Sequence, residues 1–402
     1  MFNIEMLPSA HGDCLWIEYG TAQKVWRILI DGGPAHTYAA LRGRILELPS
    51  ENRHFELLII THIDADHIEG IVRLLQDAEA LNCRFERIWF NGREQLNQVF
   101  DPAGAPLGAL QGEMLGMLIA DYEKRVGARV WNTGLPDALA AIDRSTRALP
   151  AVDLPGDCRL TLLSPDQERL LDLKDRWRDE LRKARVASGD EAALRRALEE
   201  NRNLRPLGDV LGAEDELTEE RFELPQPAGR DLAPAPGDTL GGGDGEPGAD
   251  APLGGDNSPA NGSSIAVLLD YPTETPRVRF LLAGDAWPSV LEASVDQMMT
   301  DRKDRLSLAG FKLPHHGSVA NTSASLLRKL NCRDYLISTS GAVFRHPHSR
   351  AIELLLTEHG GQHKPRLHFN YLTETTVAWS DAKDQRARRY EAFHPKGLSL
   401  LL

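Results

Sequence analysis

The sequence predicts one α/β unit. Three observations predict it: short apolar runs rich in β-branched residues, helical periodicity between those runs, and the same alternation on both sides of a long polar stretch. Phe2–Met6, Cys14–Tyr19 and Trp26–Asp31 read as strands separated by Gly/Asp turns. Leu57–Thr61 is continuously apolar, and Ile59, Ile60 and Thr61 favour a strand buried on both faces. Glu69–Ala80 puts Ile71, Leu74, Leu75 and Ala78 on one face and predicts a helix. Arg87–Phe90 and Arg159–Leu163 are further strands. After the polar stretch the pattern resumes, with predicted strands at Ser264–Asp270, Val278–Ala283, Phe311–Leu313, Tyr335–Thr339 and Arg366–Phe369. Helices are predicted at Pro288–Met299, Ser323–Leu330 and Ser349–His359.

The chain therefore reads as a single domain over residues 1–402 with two additions. Residues 166–224 form a charged helical insertion, in which Leu170, Leu171, Leu173, Trp177 and Leu181 give only a partial apolar stripe. Residues 225–262 are Gly-, Pro- and Asp-rich without an aromatic residue. Such a stretch cannot bury enough apolar surface to offset chain entropy, so a disordered loop is expected there.

Composition narrows the function. The charge is −13, from 46 Lys and Arg against 59 Asp and Glu. A protein that coats nucleic acid non-specifically needs a broad basic surface, so that class is excluded, whereas a nuclease with a local metal charge is not. No apolar run is long enough to span a bilayer, and the opening MFNIEMLPSAHGD has no secretory pattern. The four cysteines form no CxxC, which points to reduced thiols and a cytoplasmic protein without membrane contact.

Chemistry concentrates in Thr61-His62-Ile63-Asp64-Ala65-Asp66-His67, between a strand and a helix. Acids at a helix N-terminus are common and would account for Asp64 or Asp66. They do not account for two histidines bracketing those acids. Imidazole and carboxylate are metal ligands at neutral pH, so the segment is a candidate metal site. Later strand ends add Gly284-Asp285, Pro314-His315-His316-Gly317-Ser318 and His346-Pro347-His348. Eight acids and histidines thus collect at four strand ends: His62, Asp64, Asp66, His67, Asp285, His315, His316 and His346.

HxDxDH after a strand, then GD and HHGS, resembles the metallo-β-lactamase fold superfamily, and most of all the hydrolase domain of ComEC-type proteins and their soluble relatives. Asn261 with Ser263 and Ser264, the later His346-Pro347-His348, Gly12-Asp13 and Ile30-Asp31-Gly32-Gly33 extend the likeness. It covers most of the chain except about residues 95–154 and the insertion with its loop. The usual second histidine of HxHxDH is Asp64 here. The resemblance implies an αββα sandwich with two divalent ions, Zn or Mn, at one edge. His62 and Asp64 would hold one ion, Asp66 and His67 the other, and Asp285 would bridge. The family's P-x-H-G context makes His316 the remaining ligand and His315 a transition-state stabiliser; the residues alone leave the order of the two open. Asp66 would orient the attacking water, His315 or His346 would serve the leaving oxygen, and Ser318, Asn261 and His348 would contact substrate.

The resulting expectation is a metal-dependent hydrolase that activates water, acting on a phosphodiester substrate and possibly on nucleic acid. The alternatives are hydrolysis of a carboxylic ester, lactone or thioester on the same fold, and a non-catalytic component docking a protein partner through residues 166–224.

Overall fold

A computed structural model describes residues 1–100, 110–174, 255–275, 278–299, 305–359, 363–394 and 398–401. The fold is mixed α/β with two large sheets. The first has six strands in the order β16-β1-β2-β3-β5-β7: Leu398–Leu401, Phe2–Met6, Leu15–Gly20, Val25–Ile30, Leu57–Ile59 and Ile88–Trp89. Its first four strands are antiparallel, and β3, β5 and β7 run parallel. The second has eight strands in the order β15-β14-β13-β12-β11-β10-β9-β8: Glu391–Phe393, Arg366–Phe369, Leu330–Ile337, Leu306–Lys312, Val278–Leu282, Ala266–Tyr271, Cys158–Ser164 and Ala151–Leu154. Strands β11 to β15 are parallel and β8 to β11 antiparallel. Strands β4 (His54–Phe55) and β6 (Arg84–Phe85) form a separate pair.

Strand periodicity explains the packing. Successive side chains point to opposite faces, so a strand covered on both sides must be apolar throughout. In β2 and β3, Leu15, Ile17, Ile28 and Ile30 join a cluster shared with Leu160, Leu162, Val267, Leu269, Phe280 and Leu282 of the other sheet. The intervening Trp16 and Leu29 face a second cluster with helices α1 (Tyr38–Leu46), α2 (Ala65–Asp77), α3 (Arg93–Phe100, through Leu96) and α4 (Leu110–Val126). In the eight-stranded sheet, Leu268, Leu281, Phe311, Tyr335 and Leu367 meet a third cluster. That one includes Leu291 and Val295, Leu326 and Leu327, and Ile352 and Leu355 from helices Pro288–Met298, Ala324–Lys329 and Ser349–Glu358. Burying each large aliphatic side chain contributes about 1.5–3 kcal/mol.

Several expected boundaries move. Helix α2 starts at Ala65, not Glu69, because Asp64 is extended and ends the preceding loop. Strand β12 spans Leu306–Lys312 rather than only Phe311–Leu313. Residues 255–262 were expected in the disordered loop; instead Pro259–Gly262 form a short helix capped by Ser258, with Asn261 buried. The rest of that loop, 225–254, and residues 175–224 of the insertion lie outside the described residues. The insertion's first turns pack inward, with Leu170 and Leu173 in the cluster of α2 and α4. All four cysteines are buried free thiols. Among the described residues no helix is long and apolar enough to cross a membrane.

Candidate metal centre

The site lies where the two sheets present the ends of β5, β11 and β12. His62 follows β5, Asp64 precedes α2, and Asp66 and His67 occupy that helix's first turn. Asp64 stands at the helix N-cap but makes no capping hydrogen bond. Asp285 follows β11 through Gly284, whose φ of +51° turns the chain; a Cβ there would meet Ser264 Oγ at 2.5 Å. His315 and His316 follow β12 and both take left-handed backbone angles, φ 48° and 54°. That conformation costs about 1–2 kcal/mol per residue and is held in place by its surroundings. It also lets two adjacent rings turn to the same side.

Oδ2 of Asp285 is the hub. The Nε2 atoms of His67, His316, His62 and His315 lie 3.4, 3.7, 3.8 and 3.9 Å from it. Asp66 Oδ2 is 3.3 Å from His316 Nε2 and 3.9 Å from His67 Nε2, and Asp64 Oδ2 is 3.5 Å from His62 Nε2. Nε2 of His62, His67 and His316 and Oδ1 of Asp285 are buried and have no hydrogen-bond partner among the described residues.

The other ring nitrogens fix the protons. His67 Nδ1 donates to Asp31 Oδ2 at 2.8 Å, and His316 Nδ1 donates to the Ser338 carbonyl at 2.9 Å. Thr61 Oγ1 gives its proton to Asp31 Oδ2 at 2.7 Å, so it can only accept from His62 Nδ1, 3.0 Å away. His315 Nδ1 lies 2.9 Å from Asn321 Oδ1, an acceptor. In their neutral forms all four rings therefore carry the proton on Nδ1 and turn an Nε2 lone pair toward one carboxylate oxygen. Lone pairs facing a carboxylate repel it. Such an arrangement suits a cation at the centre, with Asp31, Ser338 and Asn321 orienting the rings.

Asp13, His67, Asp285 and His316 are all buried and each offers a ligand atom within 4.8 Å of the others, a group that could hold a metal ion. Asp13 is otherwise engaged: it pairs with the fully buried Lys312 and lies 3.3 Å from His316 Nδ1, the side away from the hub. Burial works against its charge, but Lys312 and His316 outweigh burial and hold its pKa at about 2. Burial likewise opposes ionisation of Asp66 and Asp285, and His67 chiefly brings both below the carboxylate range. The reciprocal effect raises His316 to about 9 against burial, mainly through Asp285 and Asp13; His67 is raised strongly by Asp285, Asp66 and Asp31. A cation held among these carboxylates would compete with the protons that they favour on His67 and His316.

The fold thus brings together His62, Asp64, Asp66, His67, Asp285, His315 and His316. His346 stands beside them, its ring 5.0 Å from that of His315, buried, with neither nitrogen hydrogen-bonded among the described residues. Burial, with His315, His316 and His348 nearby, lowers its pKa well below the usual value. The other three expected residues do local work. His348 Nδ1 accepts from Val319 N at 3.1 Å, Ser318 Oγ accepts from Ala320 N at 3.3 Å, and Asn261 Nδ2 donates to Asp256 Oδ2 at 2.8 Å. Sequence reasoning took Asp31 and Gly12-Asp13 as turns and gave no role to Thr61, Lys312 or Asn321. The Asp31-Gly-Gly run after an apolar strand was the one available signal.

Compared with known protein families and with curated proteins, the chain matches none.

Proposed function

We propose that this chain is a metal-dependent hydrolase of the metallo-β-lactamase type, acting on a phosphodiester. The observation that carries the reading is the convergence of four imidazole Nε2 atoms on one buried carboxylate oxygen. The three core clusters, one between the sheets and one under each set of helices, support an αββα sandwich as its frame.

The donor set fits two divalent ions. His62 and Asp64 would hold one, Asp66, His67 and His316 the other, and Asp285 Oδ2 is shared between the two groups. His315 Nε2 reaches the same oxygen from the open side. When bound, such ions supply Lewis acidity that lowers the pKa of water and offsets charge on a phosphoryl group. Three carboxylates among the ligands make Mn²⁺ as suitable as Zn²⁺. The chain's own residues do the rest. Asp31 and Thr61 hold His67 and His62 in register. Asp66 orients the attacking water through its carboxylate. His346, kept neutral by burial, offers N–H to the leaving oxygen as a hydrogen-bond donor rather than as an acid. Exposed Arg345 beside it adds positive charge at the rim, which favours an anionic substrate over a neutral ester.

The test is metal analysis of the purified full chain, then hydrolysis of bis(p-nitrophenyl) phosphate, DNA and RNA against p-nitrophenyl acetate, a lactone and a thioester, with Zn²⁺ or Mn²⁺. Bound metal with turnover of a phosphodiester is expected. Turnover of the carboxylic substrates alone moves the assignment to ester, lactone or thioester hydrolysis. Unchanged biological activity after His67→Ala points instead to a docking component.

A further inference from the structure

Asp256 lies in the stretch that composition marks as a disordered loop, yet its carboxylate is buried against the site, with 8% of the side chain exposed. Oδ2 of Asp256 accepts from Asn321 Nδ2 and from Asn261 Nδ2, each at 2.8 Å. Asn321 Nδ2 also donates to the Asp285 carbonyl at 3.2 Å. An amide nitrogen facing two acceptors cannot exchange places with its oxygen without setting oxygen against oxygen. The Asn321 side chain is therefore locked, and its Oδ1 is the atom that meets His315 Nδ1 at 2.9 Å. Asn261 Nδ2 lies 3.4 Å from the same nitrogen; the shorter contact, to an oxygen, decides the proton's place.

From this chain of contacts we infer that Asp256 is a positioning residue. Through Asn321 it holds the His315 proton on Nδ1 and so presents the Nε2 lone pair to Asp285 Oδ2, 3.9 Å away. Asp256 touches neither the hub oxygen nor, in the proposed reaction, the reacting atoms. Its effect passes through His315. The kinetic part of the test rests on the phosphodiesterase reading, and the spectroscopic part does not.

The experiment uses the full chain loaded with Zn²⁺ and labelled with ¹⁵N-histidine, with His315→Gln to assign the signal. The expected spectrum has the His315 proton on Nδ1 and slow to exchange. Asp256→Ala should mix the two tautomers or expose that proton to exchange, and Asp256→Asn, which keeps an acceptor oxygen, should restore it. On bis(p-nitrophenyl) phosphate, Asp256→Ala should lower kcat by about 10- to 100-fold with KM little changed, and Asp256→Asn should recover most of it. The double variant Asp256→Ala/His315→Ala should be no slower than His315→Ala alone. Circular dichroism separates these effects from unfolding. A wild-type His315 protonated on Nε2, or an Nδ1 proton indifferent to Asp256→Ala, overturns the inference whether or not any phosphodiester is cleaved. Strictly multiplicative losses in the double variant also overturn it. If no substrate turns over while the tautomer responds to Asp256 as expected, the positioning role stands and the hydrolase reading falls.

Discussion

Two buried aspartates in this molecule sit among histidines and do opposite things. Asp334, on β13, accepts from Arg366 Nε and a second guanidinium nitrogen at 2.6 Å each, and from His368 Nε2 at 2.7 Å. Both partners come from β14: Arg366 lies opposite Asp334 in the parallel register, and His368 lies two residues further along the same face. Donors point at both of its oxygens, as a structural carboxylate requires. Asp285 has four ring nitrogens within 3.9 Å of one oxygen, each without a proton in the ring's neutral form, and no partner for the other oxygen among the described residues. The first cluster is complete in the protein alone. The second leaves buried polar atoms without a hydrogen-bond partner among the described residues and could hold a metal ion. What separates the two clusters is therefore not which residues are near each other, nor which ring nitrogen faces the carboxylate, since Nε2 does so in both, but whether the neutral ring carries its proton on that nitrogen.

Exchanging the two roles gives the largest expected effect. Asp285→Ala should strip bound metal and lower phosphodiester hydrolysis by more than the roughly 100-fold that marks the upper end for losing a mere orienting partner. Asp334→Ala should leave metal content and turnover unchanged; metal analysis and steady-state rates on both variants decide between them.

A middle-sized effect lies in stability. Replacing the Asp334 carboxylate by Asp334→Asn should cost about 1–3 kcal/mol in urea unfolding, because the negative charge and one of the two acceptor oxygens that Arg366 and His368 share are lost. Metal binding measured on the same sample should not move.

The smallest effect is a pH trend in the cage. His316 is raised from its ordinary value to about 9 without metal, and His67 is raised too. A group with a raised folded-state pKa contributes stability that is fully present below its unfolded value, near 6.5, and lost as pH climbs through about 9. Chelated protein should therefore melt at falling temperatures from pH 7 to pH 10. Zinc-loaded protein should not follow that trend, because metal replaces those protons. Parallel melting curves for the two samples over that range would falsify the exchange of protons for metal.

Much of this was legible in the sequence because it is local. The apolar runs around Leu15-Trp16-Ile17 and Ile28-Leu29-Ile30 read as strands, and His62, Asp64, Asp66 and His67 fall on one strand end and one helical turn. The pairing of Asp31 with His67, of Lys312 with Asp13 and of Asp256 with Asn321 was not legible. Each joins residues distant along the chain, and each acidic member carries an ordinary turn or loop signal on its own. The order of His315 and His316 was hidden for another reason. In regular backbone, neighbours diverge, and only two successive left-handed residues aim both rings at Asp285. Strand β8 was missed because Ala151-Val152-Asp153-Leu154 is only four residues long, with a charge inside it and only Val152 and Leu154 buried.

The donors come from both sides of the stretch between residues 174 and 255. A ribosome making this protein releases His62, Asp64, Asp66 and His67 long before it adds Asp285 and His316. On the proposed reading the emerging N-terminal part has only some of the donors, so firm capture of an ion would wait until most of the polypeptide has been made.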